Sequence, residues 1–286
     1  MKIIASLLLG SLFLMFLPQG TEQKSEKLML SWADNYLTIR GPRLPKEGVR
    51  VQYLEAYCRP GSTDRDWAET VIKHKTKLVS ASDDGQGIKL RCILEDGVIV
   101  THEITAGEDE VRFELVATNP TKSVSAAQWA QPCIRVGNFT GRGQQDYVTS
   151  CFIFLDGRLA RLPTQPWADK ARYTPGQVYC PKHVDRRDVN PRPLSELVPS
   201  NGLIGCFSQD GDTILATAWE PYQELFQGVA VCIHSDFRLG GLRPKETKTI
   251  RGKIYIVKAD PAALLRRYQR DFPEHVKAKS PDGNSP

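Results

Sequence analysis

Ile88-Lys89-Leu90-Arg91-Cys92-Ile93-Leu94, Glu95-Asp96-Gly97, Val98-Ile99-Val100-Thr101-His102-Glu103-Ile104-Thr105, Ala106-Gly107-Glu108-Asp109 and Glu110-Val111-Arg112-Phe113-Glu114-Leu115-Val116-Ala117 follow one another along residues 88–117. Apolar, β-branched runs separated by Asp-Gly and Gly-containing turns are the signature of an antiparallel meander. In the last run Val111, Phe113, Leu115 and Ala117 alternate with Glu110, Arg112 and Glu114. That two-residue period gives a strand with one apolar and one charged face. Asn119-Pro120 then supplies a turn before a further strand, Trp129 to Val136.

The same pattern extends outward. Leu28 to Trp32 and Tyr36 to Arg40 form a hairpin around Asp34-Asn35, and Val49 to Cys58 and Thr70 to Ser80 read as strands, with a helical turn near Asp64 to Ala68. Asp156-Gly157 joins Tyr147–Leu155 to Arg158–Arg161, and Gln209-Asp210-Gly211-Asp212 joins Leu203–Ser208 to Thr213–Trp219. Val229 to Ile233 and Thr247 to Val257 are strand-like as well. One helix is expected over about 260–272: Asp260 caps it, Pro261 suits its first position, and Pro273 ends it. Its expected place is the sandwich edge. The predicted fold is all-β, a large antiparallel β-sandwich with one C-terminal helix and a long Pro-rich loop over about 162–200. That loop holds seven prolines with Trp167, Tyr173 and Tyr179, and reads as an ordered segment draped over one sandwich face.

With 286 residues, 41% hydrophobic and 25% charged, the chain can bury a substantial core, so disorder is excluded as the general state. The net charge of +5 is modest and the basic residues are scattered, which argues against a nucleic-acid partner. Lys2 followed by the apolar Ile3–Leu17 and then Pro18-Gln19-Gly20 reads as a signal peptide over 1–20. The expected location is therefore secreted or periplasmic, with no membrane attachment after cleavage. A β-sandwich domain is expected over 21–275, and a disordered tail over 276–286.

Seven cysteines are an odd count, and most lie in strand-like apolar runs, which suits buried thiols packing as small hydrophobes. Cys180-Pro181-Lys182-His183 is a lone Cys-x-x-His without a partner pair at zinc spacing, so neither a metal site nor a cofactor is expected. There is no Gly-x-Ser-x-Gly elbow, His-Glu-x-x-His or phosphate-binding loop. Asn138-Phe139-Thr140 is a glycosylation sequon.

The runs Gly97–Ile104 and Glu110–Asn119, and the Leu242-Arg243-Pro244-Lys245-Glu246 turn entering the last long strand, resemble galactose-mutarotase-like supersandwich proteins. The resemblance covers roughly residues 28–258 in style. It implies a large antiparallel sandwich in a group that includes aldose epimerases, domains of polysaccharide lyases and glycoside hydrolases, and exported bacterial proteins without assigned activity. No catalytic motif of those enzymes matches position by position.

Candidate site residues come from the chain itself. Trp129, Gln131, Cys133 and Arg135 share one strand face, and an indole, an amide and a guanidinium together suit a sugar. His102 points with Val98, Val100 and Ile104, so it is either a core histidine or a pocket-lining one. His234 and Asp236 lie two apart on one face, where a carboxylate can orient an imidazole. Trp219, Glu220 and Tyr222 gather at a strand end. The expected function is that of an exported carbohydrate-binding protein with a saccharide or polysaccharide ligand. The alternatives are an epimerase-type or lyase-type enzyme using His102 or His234 with Glu220, and a structural or interaction protein of the cell envelope. In the binding reading Trp129, Gln131, Arg135, Trp219 and Tyr222 touch the ligand.

Overall fold

A computed structural model describes residues 27–164 and 177–276, so the expected signal peptide and nearly all of the expected disordered tail lie outside the described residues. In chain order the strands are β1 (Met29–Ala33), β2 (Tyr36–Arg40), β3 (Val49–Cys58), β4 (Val71–Ile72), β5 (His74–Ala81), β6 (Gly87–Leu94), β7 (Ile99–Ala106), β8 (Glu110–Thr118) and β9 (Trp129–Arg135). They continue as β10 (Cys151–Leu155), β11 (Arg158–Arg161), β12 (Val178–Tyr179), β13 (Ile204–Phe207), β14 (Thr213–Glu220), β15 (Tyr222–Gly228), β16 (Cys232–Arg238) and β17 (Thr247–Lys258).

Two antiparallel sheets result. The first runs β1-β2-β3-β9-β16-β15-β12 with β4 beside β3, and the second runs β11-β10-β13-β14-β17-β8-β7-β6-β5. The meander read from residues 88–117 is β6-β7-β8, with Leu90 opposite His102 and His102 opposite Leu115. Between the sheets the inward residues of both merge into one core, including Val51, Tyr53, Ile134 and Ile233 from the first and Leu90, Ile104, Phe113 and Ile254 from the second. Each such side chain contributes roughly 1.5–3 kcal/mol on full burial.

The second sheet has a covered outer face too. Phe152, Phe154, Ile214, Ala216, Ala218 and Tyr255 point away from the first sheet and meet Leu264, Tyr268 and Phe272. The helix Pro261–Asp271 therefore lies across this outer face, not at the sandwich edge, because an apolar sheet face offers more area to its apolar stripe than an edge does. Asp260 caps it as expected, its Oδ1 accepting from the Ala263 N–H at 2.9 Å. Glu110 ties the helix down: burial alone would push its pKa up, but Arg112, Lys253 and Arg267 hold it at about 2.

Two local expectations are corrected and one is refined. Tyr147–Ser150 is a single 3-10 turn before β10. Val229-Ala230-Val231 is the turn between β15 and β16, with Val231 at φ 55°, so only Cys232 and Ile233 of that apolar run enter a strand. The segment near Asp64 forms two short turns, Ser62–Asp64 and Trp67–Thr70. No helix among the described residues is long and apolar enough to cross a membrane.

Candidate functional site: a polar sheet face under a proline-rich strap

The outer face of the first sheet is polar and yet buried. Alternation along β9 and β16 sends Ala130, Ile134, Ile233 and Phe237 into the core, so Gln131, Cys133, Arg135, Cys232, His234 and Asp236 must face outward. Pairing of Cys232 with Arg135 sets these two rows side by side. On one flank β3 places Gln52 opposite Cys133 and Ala56 opposite Gln131. On the other β15 places Glu224 opposite Asp236, Phe226 opposite His234 and Gly228 opposite Cys232.

A strap running from Gln177 to Asn201 roofs part of this face. Val178, Cys180, Val184 and Val189 pack with Phe226, which fixes the strap by apolar burial. The Asn190 backbone N–H donates to both Glu224 carboxylate oxygens at 3.0 and 2.9 Å. Its side-chain amide donates to Gln131 Oε1 at 3.0 Å, and Gln131 in turn donates to Glu55 Oε2 at 2.7 Å. Arg238 reaches Gln223 Oε1 at 2.6 Å and Asp188 Oδ2 at 3.3 Å.

Pairing on this face is incomplete. Among the described residues, His234 Nδ1, both Asp236 carboxylate oxygens, Asn190 Oδ1 and one Asp188 oxygen are buried without a hydrogen-bond partner. Buried polar atoms are paired in nine cases of ten or more, so this concentration needs a cause. Burial raises the pKa of Glu224 and also that of Asp236, for which His234 works against the rise. At the other end of the row Cys232 Sγ and His234 Nε2 are 3.2 Å apart. Burial opposes charge on both, but the Cys133 hydrogen bond and then the His234 charge pull the Cys232 thiol down, and the Cys232 charge pushes the imidazole up. Phe226 stacks on the imidazole at 4.0 Å and fixes its plane. Cys133 Sγ completes a group in which the two sulfurs and one imidazole nitrogen all lie within 4.8 Å of one another.

No family model matches the chain, and no curated protein matches it. Solved structures do resemble it. The Slr1438 protein from Synechocystis shares 11% identity and a TM-score of 0.46, over 88% of this chain and 100% of that one. A galactose mutarotase-like protein from Clostridium acetobutylicum shares 11% identity and a TM-score of 0.41, over 82% and 96%. Another from Lactobacillus casei shares 9% and 0.43, over 80% and 100%. Galactose mutarotase-like proteins are thus among the solved structures similar to this chain.

The sequence-derived residues fall in different places. Gln131, His234 and Asp236 belong to the polar face. Trp129 lies on that face but is fully buried under Trp67 and Val71, its Nε1 donating to Ser62 Oγ at 3.2 Å. Arg135 sits at the rim, donating to Gln52 Oε1 at 2.6 Å and to the Ala230 carbonyl at 3.1 Å. His102 is in the core between the sheets, its Nδ1 2.8 Å from the Tyr53 hydroxyl, and burial followed by the charge of His74 lowers its pKa to about 3. Trp219 is buried against Phe113 and Phe237. Glu220 pairs with His275, which also contacts Tyr268. Tyr222 lines a separate cleft of about 790 Å³ beside the C-terminal helix, with His183 and His275. Cys180 and His183 do not converge: the thiol donates to the Pro181 and Val184 carbonyls, and the His183 ring meets Tyr222 edge-on.

Glu55, Glu224 and Asn190 were not singled out from the sequence. One signal for Glu224 existed: Tyr222-Gln223-Glu224-Leu225-Phe226-Gln227 carries three polar residues in a strand that the structure buries throughout.

Proposed function

We propose that this protein is an exported saccharide-binding protein, and that it binds its ligand on the polar outer face of the first sheet through Glu55, Gln131, Asn190, Glu224 and Asp236. The observation that carries this reading is the Asp236 carboxylate, fully buried with neither oxygen paired. A carboxylate accepts only, and a sugar presents several hydroxyl donors at close spacing, so sugar hydroxyls match what this face lacks. The strap must shift for entry, and the free acceptors on Asn190 and Asp188 then join the site.

The test is calorimetric titration with a panel of neutral sugars and uronates. At least one saccharide is expected to bind, and Asp236→Asn and Gln131→Ala are each expected to weaken it by about tenfold or more, equivalent to about 1.4 kcal/mol. Silence across the panel, or unchanged affinity in both variants, would sink the reading.

A second reading, sugar chemistry of epimerase or lyase type, draws support from one feature. His234, pushed toward its protonated form, and the Glu224 carboxyl, which burial keeps toward its neutral form, share this face as two candidate proton donors. Loss of turnover on a bound sugar in His234→Gln, with binding retained, separates it from simple binding.

A further inference from the structure

Cys133, Cys232 and His234 come from two neighbouring strands, and all three are buried. Their donor atoms lie within 4.8 Å of one another, with Cys232 Sγ 3.2 Å from His234 Nε2. A tetrahedral zinc ion with Zn–S bonds of about 2.3 Å and Zn–N bonds of about 2.0–2.1 Å spaces its ligand atoms by about 3.5–3.8 Å. The trio's separations, 3.2 Å for one pair and at most 4.8 Å for any, lie around that spacing.

Three features around the trio point the same way. Gly228 stands opposite Cys232, and a Cβ there would meet Cys232 Sγ at 2.4 Å and His234 Nε2 at 3.1 Å, so the absent side chain is what leaves the trio its room. Phe226 holds the imidazole plane. Behind the ring, Asp236 Oδ1 lies 3.5 Å from Nδ1, the position of the carboxylate that orients a metal-bound histidine and sets its tautomer. The pair Cys151 and Cys206, opposite one another on adjacent strands, is not part of such a donor cluster among the described residues and makes an internal control.

We propose that Cys133, Cys232 and His234 bind one zinc ion, with Asp236 as a positioning residue hydrogen-bonded to His234 Nδ1. Two thiolates and an imidazole are a donor set suited to this ion. The ion would offset the cost of burying thiolate charge and give the Asp236 carboxylate an N–H donor. Three protein donors leave the fourth position to an exogenous oxygen, from water or from a ligand on the same face. The proposal does not rest on the saccharide reading and is tested without sugar.

The full chain is stripped of metal by chelation under reducing conditions and titrated with Zn2+, and separately with Co2+ as a spectroscopic probe. Binding of one equivalent of each is expected, with intense sulfur-to-cobalt charge-transfer absorption and a Zn2+-dependent rise in the unfolding midpoint. Cys133→Ser and Cys232→Ser are expected to abolish the absorption, and Cys151→Ser to keep it. Asp236→Asn is expected to keep the absorption while weakening Zn2+ binding about tenfold. The proposal is overturned if wild-type chain binds no stoichiometric zinc, if the absorption persists in Cys133→Ser/Cys232→Ser, or if the chain isolated without reductant carries a Cys133–Cys232 disulfide. The wild-type titration decides the matter even where a variant does not fold.

Discussion

The Oδ1 atom of Asp236 lies 3.5 Å from Nδ1 of His234, both side chains are buried, and neither atom has a hydrogen-bond partner among the described residues. At that separation they attract without meeting the geometry of a hydrogen bond. The fold places an acceptor and a potential donor together and leaves their pairing to whatever occupies the face.

A residue held in that state costs stability in the empty protein. Asp236→Asn removes a buried carboxylate whose oxygens have no hydrogen-bond partner, so the metal-free and sugar-free chain is expected to become more stable by about 1–3 kcal/mol. Urea denaturation of both forms measures it. A variant less stable than the parent would mean that the carboxylate is paired in solution.

His102 supplies a pH dependence of defined sign. Its folded pKa of about 3 lies below the reference value of 6.5, so the fold favours the neutral ring. This stability is complete above pH 6.5 and falls as the pH drops from 6.5 toward 3, because the unfolded chain takes up the proton first. At pH 4.5 the loss from this one group is about 3 kcal/mol. Its surroundings are Tyr53, Tyr57 and His74, so no carboxylate stands by to hold the charge. In His102→Gln the difference in unfolding free energy between pH 7 and pH 4.5 is expected to shrink by that amount, whereas an unchanged difference would show the ring to be solvated.

Trp129 is expected to act on stability. Truncation of a fully buried indole leaves a cavity, and Trp129→Ala is expected to cost about 3–5 kcal/mol. Trp129→Phe keeps most of the packing with Ala56, Cys58, Trp67 and Val71 and gives up the bond to Ser62, for about 1 kcal/mol. Thermal unfolding orders the two variants, and equal midpoints would place the indole in solvent.

Much of the fold was legible because the signals are local. Asp-Gly turns, two-residue alternation and the Asp260-Pro261 helix start depend on a few adjacent residues, and β6, β7, β8 and β17 appear nearly as read. The Val229 run misled for the same reason: β-branched residues favour strands, and nothing in that short stretch reveals that Val231 sits at positive φ in a turn.

For the candidate site, the sequence by itself determined which residues share a face. Gln131 with Cys133, and His234 with Asp236, follow from the pleat, which is covalent geometry. Tertiary structure alone decided which rows meet and what covers them. The pairing of β9 with β16 joins residues about a hundred positions apart, and it makes neighbours of Cys133, Cys232 and His234. The segment around Ser62–Val71 covers Trp129, and the opposite sheet encloses His102. Alternation says that a side chain points outward from its strand, but whether outward means solvent, another layer or a ligand is set by long-range packing, which no local pattern encodes.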